Sequence, residues 1–262
     1  MVNTRLYIAY IFLISLVAIA GSYPLLPYKH FEQDKQNTLS LPSIKHPFGT
    51  DELGRDMLSR ISYGLGVSLR IGISAAIFAT VIGGAFGIVS GYVGGILDTA
   101  MMGFIEFMIA LPEIVIIVLL TLIFGRGEFA IALAIALVSW LSVARITRNE
   151  VLSLKTKDFI DAANILGANP FRIMLKHIFP NVLPIILTLL VLRVPASIIA
   201  ESSLSFVGLG LKPPHSSLGV LTQEGFRAIT FYPHLILLPS LFIIVLVWSV
   251  NTIGEYFQQK IK

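Results

Sequence analysis

The side chains best placed for chemistry in this sequence are charged residues inside long apolar stretches. Arg193 lies near the middle of one stretch and Glu201 near its end, while Glu106 and Glu113 lie in another. A charge in hydrocarbon is costly unless it is paired or faces water. Arg193 therefore either lines a polar pathway, where it would attract a carboxylate, or pairs with Glu106 or Glu113, which is the slightly favoured interpretation. Glu113 and Glu201 are near enough to span ends for water to reach them, and Arg70 is expected to extend to the interface.

Sequence patterns typical of catalysis are absent. There is no cysteine, no His-Glu-x-x-His or Gly-x-Ser-x-Gly motif, and no glycine-rich P-loop to hold the phosphates of ATP. The five histidines have no metal-ligand spacing, and no basic run interleaved with aromatic residues suggests nucleic acid. We therefore expect a chain without catalytic residues, without a metal site and without a cofactor of its own.

The apolar stretches themselves must position the charges. Hydrophobic residues make up 55% of the 262-residue chain and charged residues 13%, with a mean hydropathy of +0.84. That is too little polar surface for a water-soluble globule, and runs of about 20 apolar residues cross a bilayer as helices. The sequence predicts an all-α integral membrane protein, a bundle of six helices at approximately Leu6–Tyr23, Val67–Gly91, Asp98–Phe124, Phe129–Ile146, Val182–Ser203 and Leu235–Ile253.

The first apolar run has a second interpretation. Arg5, the short apolar core and the triplet Ala18-Ile19-Ala20 are compatible with a secretory signal and its cleavage site. Cleavage would leave five spans and move the amino terminus outside. A retained first span is the favoured interpretation.

Basic residues near the span ends predict the orientation, because lysine and arginine concentrate on the cytoplasmic side. The region between the fourth and fifth spans and the end of the chain should therefore face the cytoplasm. By alternation, residues 24–66 and 204–234 lie outside and both termini lie inside. The basic residues concerned are Arg145, Arg148, Lys155, Lys157, Arg172, Lys176, Lys260 and Lys262.

Small residues recur every four positions in the second span. Such residues share one ridge of a helix and let a neighbouring backbone approach closely. The pattern predicts a span packed inside the bundle, but it does not name the neighbour. The two rows are Gly83, Gly87, Gly91 and Gly95, and Gly72, Ala76, Thr80 and Gly84.

A helix-turn-helix is predicted between the fourth and fifth spans. Residues 158–166 favour a helix, Gly167 ends it, and Asn169 followed by Pro170 is the signature of a second helix start. Its apolar face, formed by Phe159, Ile173 and Met174, would be left in water unless a protein or the membrane surface covers it. The alternative is an interfacial helix that only connects two spans.

A motif inside this helix-turn-helix resembles the EAA loop of ABC-importer permeases, the segment that docks into the ATPase subunit. Asp161 stands in place of the usual glutamate and Phe179 in place of the usual leucine, so charge or hydrophobicity is kept. The matching residues are Asp161, Ala162, Ala163 and Gly167, followed by Ile178, Phe179 and Pro180.

Two further stretches resemble the C-subunit type of oligopeptide, dipeptide and nickel permeases. They are HPFGTDELGRDMLSRISYG at residues 46–64 and ESSLSFVGLGLKPPHSSLG at residues 201–219. Leu218 stands where that family usually has tryptophan, and residues 251–255 also fit. The resemblance covers the chain from about His46 onward.

The resemblance implies a type I ABC-importer permease in a bacterial inner membrane. Residues 1–66 would form an amino-terminal helix and an extracytoplasmic segment, and residues 67–262 the permease core, with a coupling loop at about 147–181. Implied partners are a second homologous permease, two cytoplasmic ATPases that bind ATP and magnesium, an extracytoplasmic binding protein and membrane lipid.

The resemblance also assigns roles within the coupling loop. Asp161 would contact the ATPase, Ala162 and Ala163 would permit close approach, and Gly167 would set the angle between the two short helices. Asp161 has the alternative of being an ordinary solvated helix charge.

Other functions and the substrate stay open at this point. An ion-coupled secondary transporter would need coupling carboxylates at the midplane and often has internal repeats, of which the sequence has no clear example. A membrane enzyme would need catalytic groups converging at one depth. The loop at residues 208–217 is either part of an outer docking surface or gate, or an ordinary connection. Peptides, nickel chelates, metallophores and glutathione all fit the resemblance.

Overall fold

The computed structural model describes residues 2–261, with side chains described for residues 4–259. The described part of the chain is helical, apart from loops and one isolated β-bridge. Lys260 and Lys262, used above for orientation, lie outside the residues whose side chains are described. The α-helices are α1 (Val2–Ser22), α2 (Met57–Val93), α3 (Gly95–Ile109), α4 (Glu113–Phe124), α5 (Glu128–Lys155), α6 (Asp158–Ile165), α7 (Pro170–Ile173), α8 (Phe179–Leu204), α9 (Leu218–Arg227) and α10 (His234–Ile261).

Five helical runs are long and apolar enough to cross a membrane, and a sixth is added if α3 and α4 count as one span. The predicted span at Asp98–Phe124 is not one continuous helix, because α3 and α4 meet at an angle of 92°. The break falls at Pro112, which lacks an N–H group and disfavours helical geometry in the residue before it. Each of the other predicted spans lies within one of the five long apolar helical runs.

The predicted small-residue ridge of α2 packs against α5. A Cβ atom added at Gly87 would lie 2.5 Å from the carbonyl oxygen of Ala144, and one at Gly83 would lie 2.6 Å from that of Trp140. Gly95 does not continue the ridge, since a Cβ there would meet nothing within 4 Å. The sequence therefore predicted the close contact, and the structure identifies α5 as its partner.

The second row of small residues packs against α8. A Cβ added at Gly72 would lie 2.6 Å from the side chain of Ile198, and one at Gly84 would lie 3.3 Å from that of Ile186. With α5 on one side and α8 on another, α2 lies at the centre of the bundle. By contrast, α1 packs on the outside, against α10 and α2, with most of its side chains exposed.

The two ends of the bundle carry different structures. At one end, α6 and α7 form the helix-turn-helix. At the other, residues 24–56, residues 210–217 and α9 fold together into what we call the cap. Two π-helical segments, Met174–Ile178 and Ser205–Leu209, flank α8, so that α7 and α8 belong to one continuous run from Pro170 to Leu209. That run joins the two ends.

A candidate coupling surface and the charges within the spans

The helix-turn-helix has the local geometry that its sequence predicts. Gly167 adopts a φ of +77°, a conformation that glycine takes without strain. The N–H of Gly167 donates to the carbonyl of Asn164 at 3.0 Å, and the N–H of Ala168 donates to that of Ala163 at 3.1 Å. These two bonds are the Schellman pattern that closes a helix. Asn169 then caps α7, accepting a hydrogen bond from the N–H of Arg172 at 2.7 Å.

This element is anchored to the bundle by apolar side chains. Ile160, Ala163 and Ile173 are buried in a cluster with residues of α5 and α8, among them Val151 and Val182. The prediction that Ile173 lies on an exposed face is therefore wrong, since the side chain is 0% exposed within this chain alone. Because α6 and α7 fold back onto the ends of two spans, the chain itself covers that side of both helices.

Other predicted coupling residues occupy different surroundings. Phe159 is 40% exposed, Asp161 and Ala162 are also exposed, and no ion pair of the described residues includes Asp161. Met174 is half-buried and lines an apolar cleft of about 560 Å³ between α2 and α8. Only part of the predicted set therefore faces outward together.

Three large apolar side chains on the exposed side were not predicted. Ile165 is 85% exposed, Leu166 is 86% exposed and Phe171 is 66% exposed. They lie around the glycine turn, at the end of α6 and the start of α7. For Ile165 the usable signal was the helical periodicity, since a residue five positions from buried Ile160 faces away from it. We call these three residues, with Asp161 and Ala162, the coupling surface, and Phe171 also borders the apolar cleft that Met174 lines.

Arg193 is half-buried in α8 and is not part of any ion pair within 4.0 Å among the described residues. The slightly favoured pairing with Glu106 or Glu113 is therefore not formed. Both glutamates are exposed in this chain, and Glu113, at the break between α3 and α4, accepts a long hydrogen bond of 3.5 Å from Ser139. The Glu113 carboxylate is near enough to act electrostatically on the guanidinium of Arg193.

Glu201 is the largest departure from the sequence prediction. It was expected to reach water, but it is 0% exposed. Its Oε1 accepts hydrogen bonds from Ser205 at 2.7 Å and Ser217 at 2.5 Å, and its Oε2 lies 3.4 Å from the hydroxyl of Ser68. The cap folds over this end of α8, which no local pattern in the sequence indicates. Arg70, expected at an interface, forms a two-pronged pair with Glu128 at 3.0 Å and remains exposed.

Beside the helix-turn-helix, one ion pair fixes three spanning elements. Arg148 of α5 donates from Nε to Asp98 of α3 at 2.9 Å and also pairs with it through Nη2. Ser90 of α2 donates to the same carboxylate at 2.5 Å. Sequence reasoning treated Arg148 only as a cytoplasmic charge. The pairing fixes the short α2–α3 connection against α5.

At the other end, the cap is held by buried charges. Arg60 is 2% exposed, and its Nη1 lies 2.5 Å from Asp51 and 2.6 Å from Glu224. Arg55 bonds the same two acids, at 2.6 Å and 3.2 Å. This group, the cap cluster, ties residues 24–56 to α2 and α9. No local pattern in the sequence indicates that these four charges meet.

A stack of rings also joins the cap to α2. The rings of His30 and Tyr63 are parallel with centroids 3.6 Å apart, and the hydroxyl of Tyr23 lies 2.6 Å from Nδ1 of His30. On the other side, the hydroxyl of Tyr63 lies 2.7 Å from Nδ1 of His215. Burial, with the nearby positive charge of Arg60, lowers the pKa of His30 from 6.5 to about 4. The imidazole is therefore neutral at physiological pH.

No three His, Asp or Glu side chains in the described part of the chain are grouped so that they could hold a metal ion.

Comparison with known proteins places this arrangement in a family. A sequence model described as "Binding-protein-dependent transport system inner membrane component" matches residues 83–262. The oligopeptide transport system permease protein OppC of Escherichia coli K12 is 40% identical over 249 residues, which are 93% of this chain and 82% of that protein. OppC of Haemophilus influenzae is 38% identical over 246 residues, 93% and 78% of the two chains.

A third relative and a solved structure agree. The dipeptide transport system permease protein DppC of Bacillus subtilis is 37% identical over 244 residues, 93% of this chain and 76% of that protein. A chain of the MetNI methionine ABC transporter in an inward-facing conformation superposes with a TM-score of 0.64 at 19% identity, covering 79% of this chain and 98% of that one. That likeness confirms the fold of a type I ABC-importer permease. The chain therefore belongs to the family of binding-protein-dependent inner-membrane transport components, as a multi-pass permease subunit of the oligopeptide and dipeptide type.

Proposed function

We propose that this chain forms half of the translocation pathway of an ATP-driven importer for peptides, delivered by an extracytoplasmic binding protein. The relatives named for oligopeptide and dipeptide transport support peptides as the solute class. Nickel chelates, metallophores and glutathione are the alternative solutes of the same proposal. A second, homologous permease supplies the other half of the pathway.

The observation that carries the proposal is the coupling surface. Leu166, Ile165 and Phe171 are large apolar side chains that remain exposed around a turn closed by two backbone hydrogen bonds. Contiguous exposed apolar surface on a folded element indicates a binding partner. In this proposal two ATPase subunits, which bind ATP and magnesium, dock on this surface and on the matching surface of the second permease. The helix-turn-helix and both termini then face the cytoplasm, as the distribution of basic residues predicts.

In this proposal the two ATPases approach each other as rigid bodies, and this motion is transmitted to the membrane spans. Since α7 continues into α8 through the run Pro170–Leu209, a displacement of the helix-turn-helix moves a membrane span directly. Gly167 sets the angle between α6 and α7, and Asp161 supplies a polar contact at the edge of the surface. The anchoring residues Ile160 and Ile173 keep the lever attached to the bundle.

Arg193 is the proposed pathway residue. A half-buried cation without an ion-pair partner inside a span is a functional-site candidate by default. Facing the pathway, it would attract the carboxylate of a peptide, and Glu113, exposed at the α3–α4 break, would lie near the same route. Glu106 is a weaker candidate at the same helix pair, and Glu201 is removed from the list because its burial leaves it no access to a solute.

The proposal is tested by purifying the tagged chain from membranes and reconstituting the complex with its ATPases, second permease and binding protein. We expect the ATPases to co-purify and peptide uptake to require ATP. Uptake that continues without nucleotide and follows an ion gradient would instead establish a secondary transporter. Absence of any associated ATPase in an active preparation would overturn the proposal.

A Gly167→Val variant tests the lever itself. Valine at a φ of +77° is strained, so the turn should change its angle while the spans stay folded. We expect ATP hydrolysis to persist and uptake per ATP to fall sharply. Gly125→Val is the matched control, because Gly125 has a φ of +95° and open space around it but lies between α4 and α5. Normal uptake by Gly167→Val at wild-type abundance would refute the lever.

A further inference from the structure

The buried carboxyl group of Glu201 is the centre of a hydrogen-bond network that joins three elements. Ser205 lies one turn further along from Glu201, Ser217 immediately precedes α9, and Ser68 belongs to α2. No ion pair of the described residues includes Glu201. A buried carboxyl group is normally paired or fully hydrogen-bonded. Here it is satisfied by hydroxyl groups from separate parts of the fold.

Backbone N–H groups of α9 donate to two of the hydroxyls in this network. The hydroxyl of Ser217 accepts from the N–H of Val220 at 3.2 Å, and that of Ser68 accepts from the N–H of Leu218 at 3.1 Å. The Ser217 hydroxyl can donate its own proton to Oε1 of Glu201 at 2.5 Å, while the Ser68 hydroxyl, which keeps a second acceptor site, meets Oε2 at 3.4 Å. Oε1 of Glu201 is therefore the acceptor for Ser217, and the two hydroxyls in turn hold the first turn of α9.

The start of α9 is also wedged tightly between two spans. A Cβ added at Gly219 would lie 2.6 Å from Cα of Ser202 in α8, and one at Gly64 of α2 would lie 3.1 Å from the carbonyl carbon of Ser217. Because α9 has no space to slide, its position depends on the positions of α2 and α8. The Glu201 network is the polar connection within this wedge.

The position of Glu201 on α8 links the network to the helix-turn-helix. The run from Pro170 to Leu209 contains α7 of the helix-turn-helix near one end and Glu201 near the other. Its 40 residues correspond to about 60 Å of helix at 1.5 Å per residue. When α8 shifts at the helix-turn-helix end of the bundle, Glu201 is therefore expected to shift with it at the cap end, where it holds α9.

We propose that Glu201 is a positioning residue that couples α8 to the cap, so that α9 moves with α8 during transport. The inference rests on the proposed function, in which α8 is displaced by the ATPases. Glu201 acts through Oε1 as a hydrogen-bond acceptor, a role that needs a carbonyl-type oxygen and does not need a charge. A glutamine, which keeps a carbonyl oxygen in place of Oε1, should therefore substitute for it, whereas an apolar residue of similar size should not.

The test uses the reconstituted complex and the variants Glu201→Gln and Glu201→Leu. We expect Glu201→Gln to keep wild-type uptake per ATP within about twofold. Glu201→Leu should lower uptake by about tenfold or more with basal ATP hydrolysis retained, as expected when buried donors lose their acceptor. Ser205→Ala, which removes one donor only, gives an intermediate loss and serves if Glu201→Leu fails to fold.

Motion of the cap can be measured with a single introduced cysteine, because the sequence contains no cysteine. Ser216 is 0% exposed and its hydroxyl has no hydrogen-bond partner among the described residues, so Ser216→Cys removes no bond. We expect its labelling by a membrane-impermeant maleimide to differ between the nucleotide-free and vanadate-trapped complexes. In the Glu201→Leu background, or in Ser205→Ala to a smaller extent, that difference should shrink.

Two results would overturn the inference. One is a nucleotide-dependent change in Ser216→Cys labelling that is undiminished in Glu201→Leu and Ser205→Ala. The other is Glu201→Gln behaving like Glu201→Leu. Failure of the proposed function would look different, because the wild-type complex would then show no ATP-dependent uptake at all.

Discussion

At the cap, Arg60 is buried between two acids of the same chain, whereas at the helix-turn-helix the side chain of Leu166 is 86% exposed. The cap satisfies its polar groups internally, through the cap cluster, the stacked rings of His30 and Tyr63, and the network around Glu201. The helix-turn-helix satisfies its backbone locally but leaves apolar surface open.

This difference separates a structural end from a binding end. Removing one member of a buried ion pair strongly destabilises a protein. The cap cluster therefore holds the cap together as one piece. Exposed apolar side chains contribute little to the fold of an isolated chain, and they gain free energy only when a partner covers them. Substitutions at the cap should therefore act on stability, and substitutions at the coupling surface should act on association.

The largest effect is expected for Arg60→Ala. Removing this cation leaves buried Asp51 and partly exposed Glu224 with one basic partner each, and loss of one member of a buried pair costs about 3–5 kcal/mol. Thermal unfolding in detergent and abundance in membranes would measure it. Lys35→Ala, an exposed charge on the same segment, is the control and should unfold like the wild type. Equal stability of the two variants would show that the cap cluster does not hold the cap.

The next effect is expected for Leu166→Asp at the coupling surface. The variant loses the apolar contact of Leu166 and must also bury an unpaired carboxylate when the ATPase binds. Together these two effects should weaken ATPase binding by about 2 kcal/mol, or roughly thirtyfold. The unfolding temperature of the isolated chain should not change.

Ile44→Asp provides the matched control for that variant, because Ile44 is an exposed apolar residue of the cap. It should alter neither ATPase affinity nor stability. If both variants weakened binding equally, the contrast between the two ends would fail. A stability loss in Leu166→Asp alone would show that the coupling surface is part of the fold.

The smallest effect is acid sensitivity of the cap. Because the pKa of His30 is about 4 in the folded chain and 6.5 ordinarily, its contribution to stability is complete above pH 6.5 and is lost as the pH falls toward 4. After allowance for solvent screening, the loss is about 1–2 kcal/mol. His30→Phe keeps a ring beside Tyr63 and should flatten the unfolding profile over this range. An unchanged slope in that variant would assign the acid sensitivity to other groups.

Local elements were predictable because their causes lie in neighbouring residues. Gly167, Asn169 and Pro170 fix a turn and a helix start through backbone geometry alone. The ridge of glycines in α2 predicted close packing for the same reason. The break at Pro112 also has a local cause, the proline itself. The prediction of a single span followed the apolar run on both sides of Pro112 and did not use it.

The burial of individual side chains was not predictable in this way. Ile173 was assigned to the exposed face and Glu201 to solvent, and both are fully buried. Their surroundings come from segments that are distant in sequence, as with Ser68 and Glu201, 133 positions apart, and Arg60 and Glu224, 164 positions apart. Such contacts depend on how the spans pack against one another.

By itself, the sequence determined that this chain is a helical membrane protein with a glycine-centred helix-turn-helix, because apolar run length and backbone preference act over one helix at a time. Only the tertiary structure decided which side of that element stays open, which helix receives the α2 ridge, and that Glu201 connects a span to the cap. Those features are set by side chains meeting across the bundle, where burial and hydrogen-bond partners are shared among several helices.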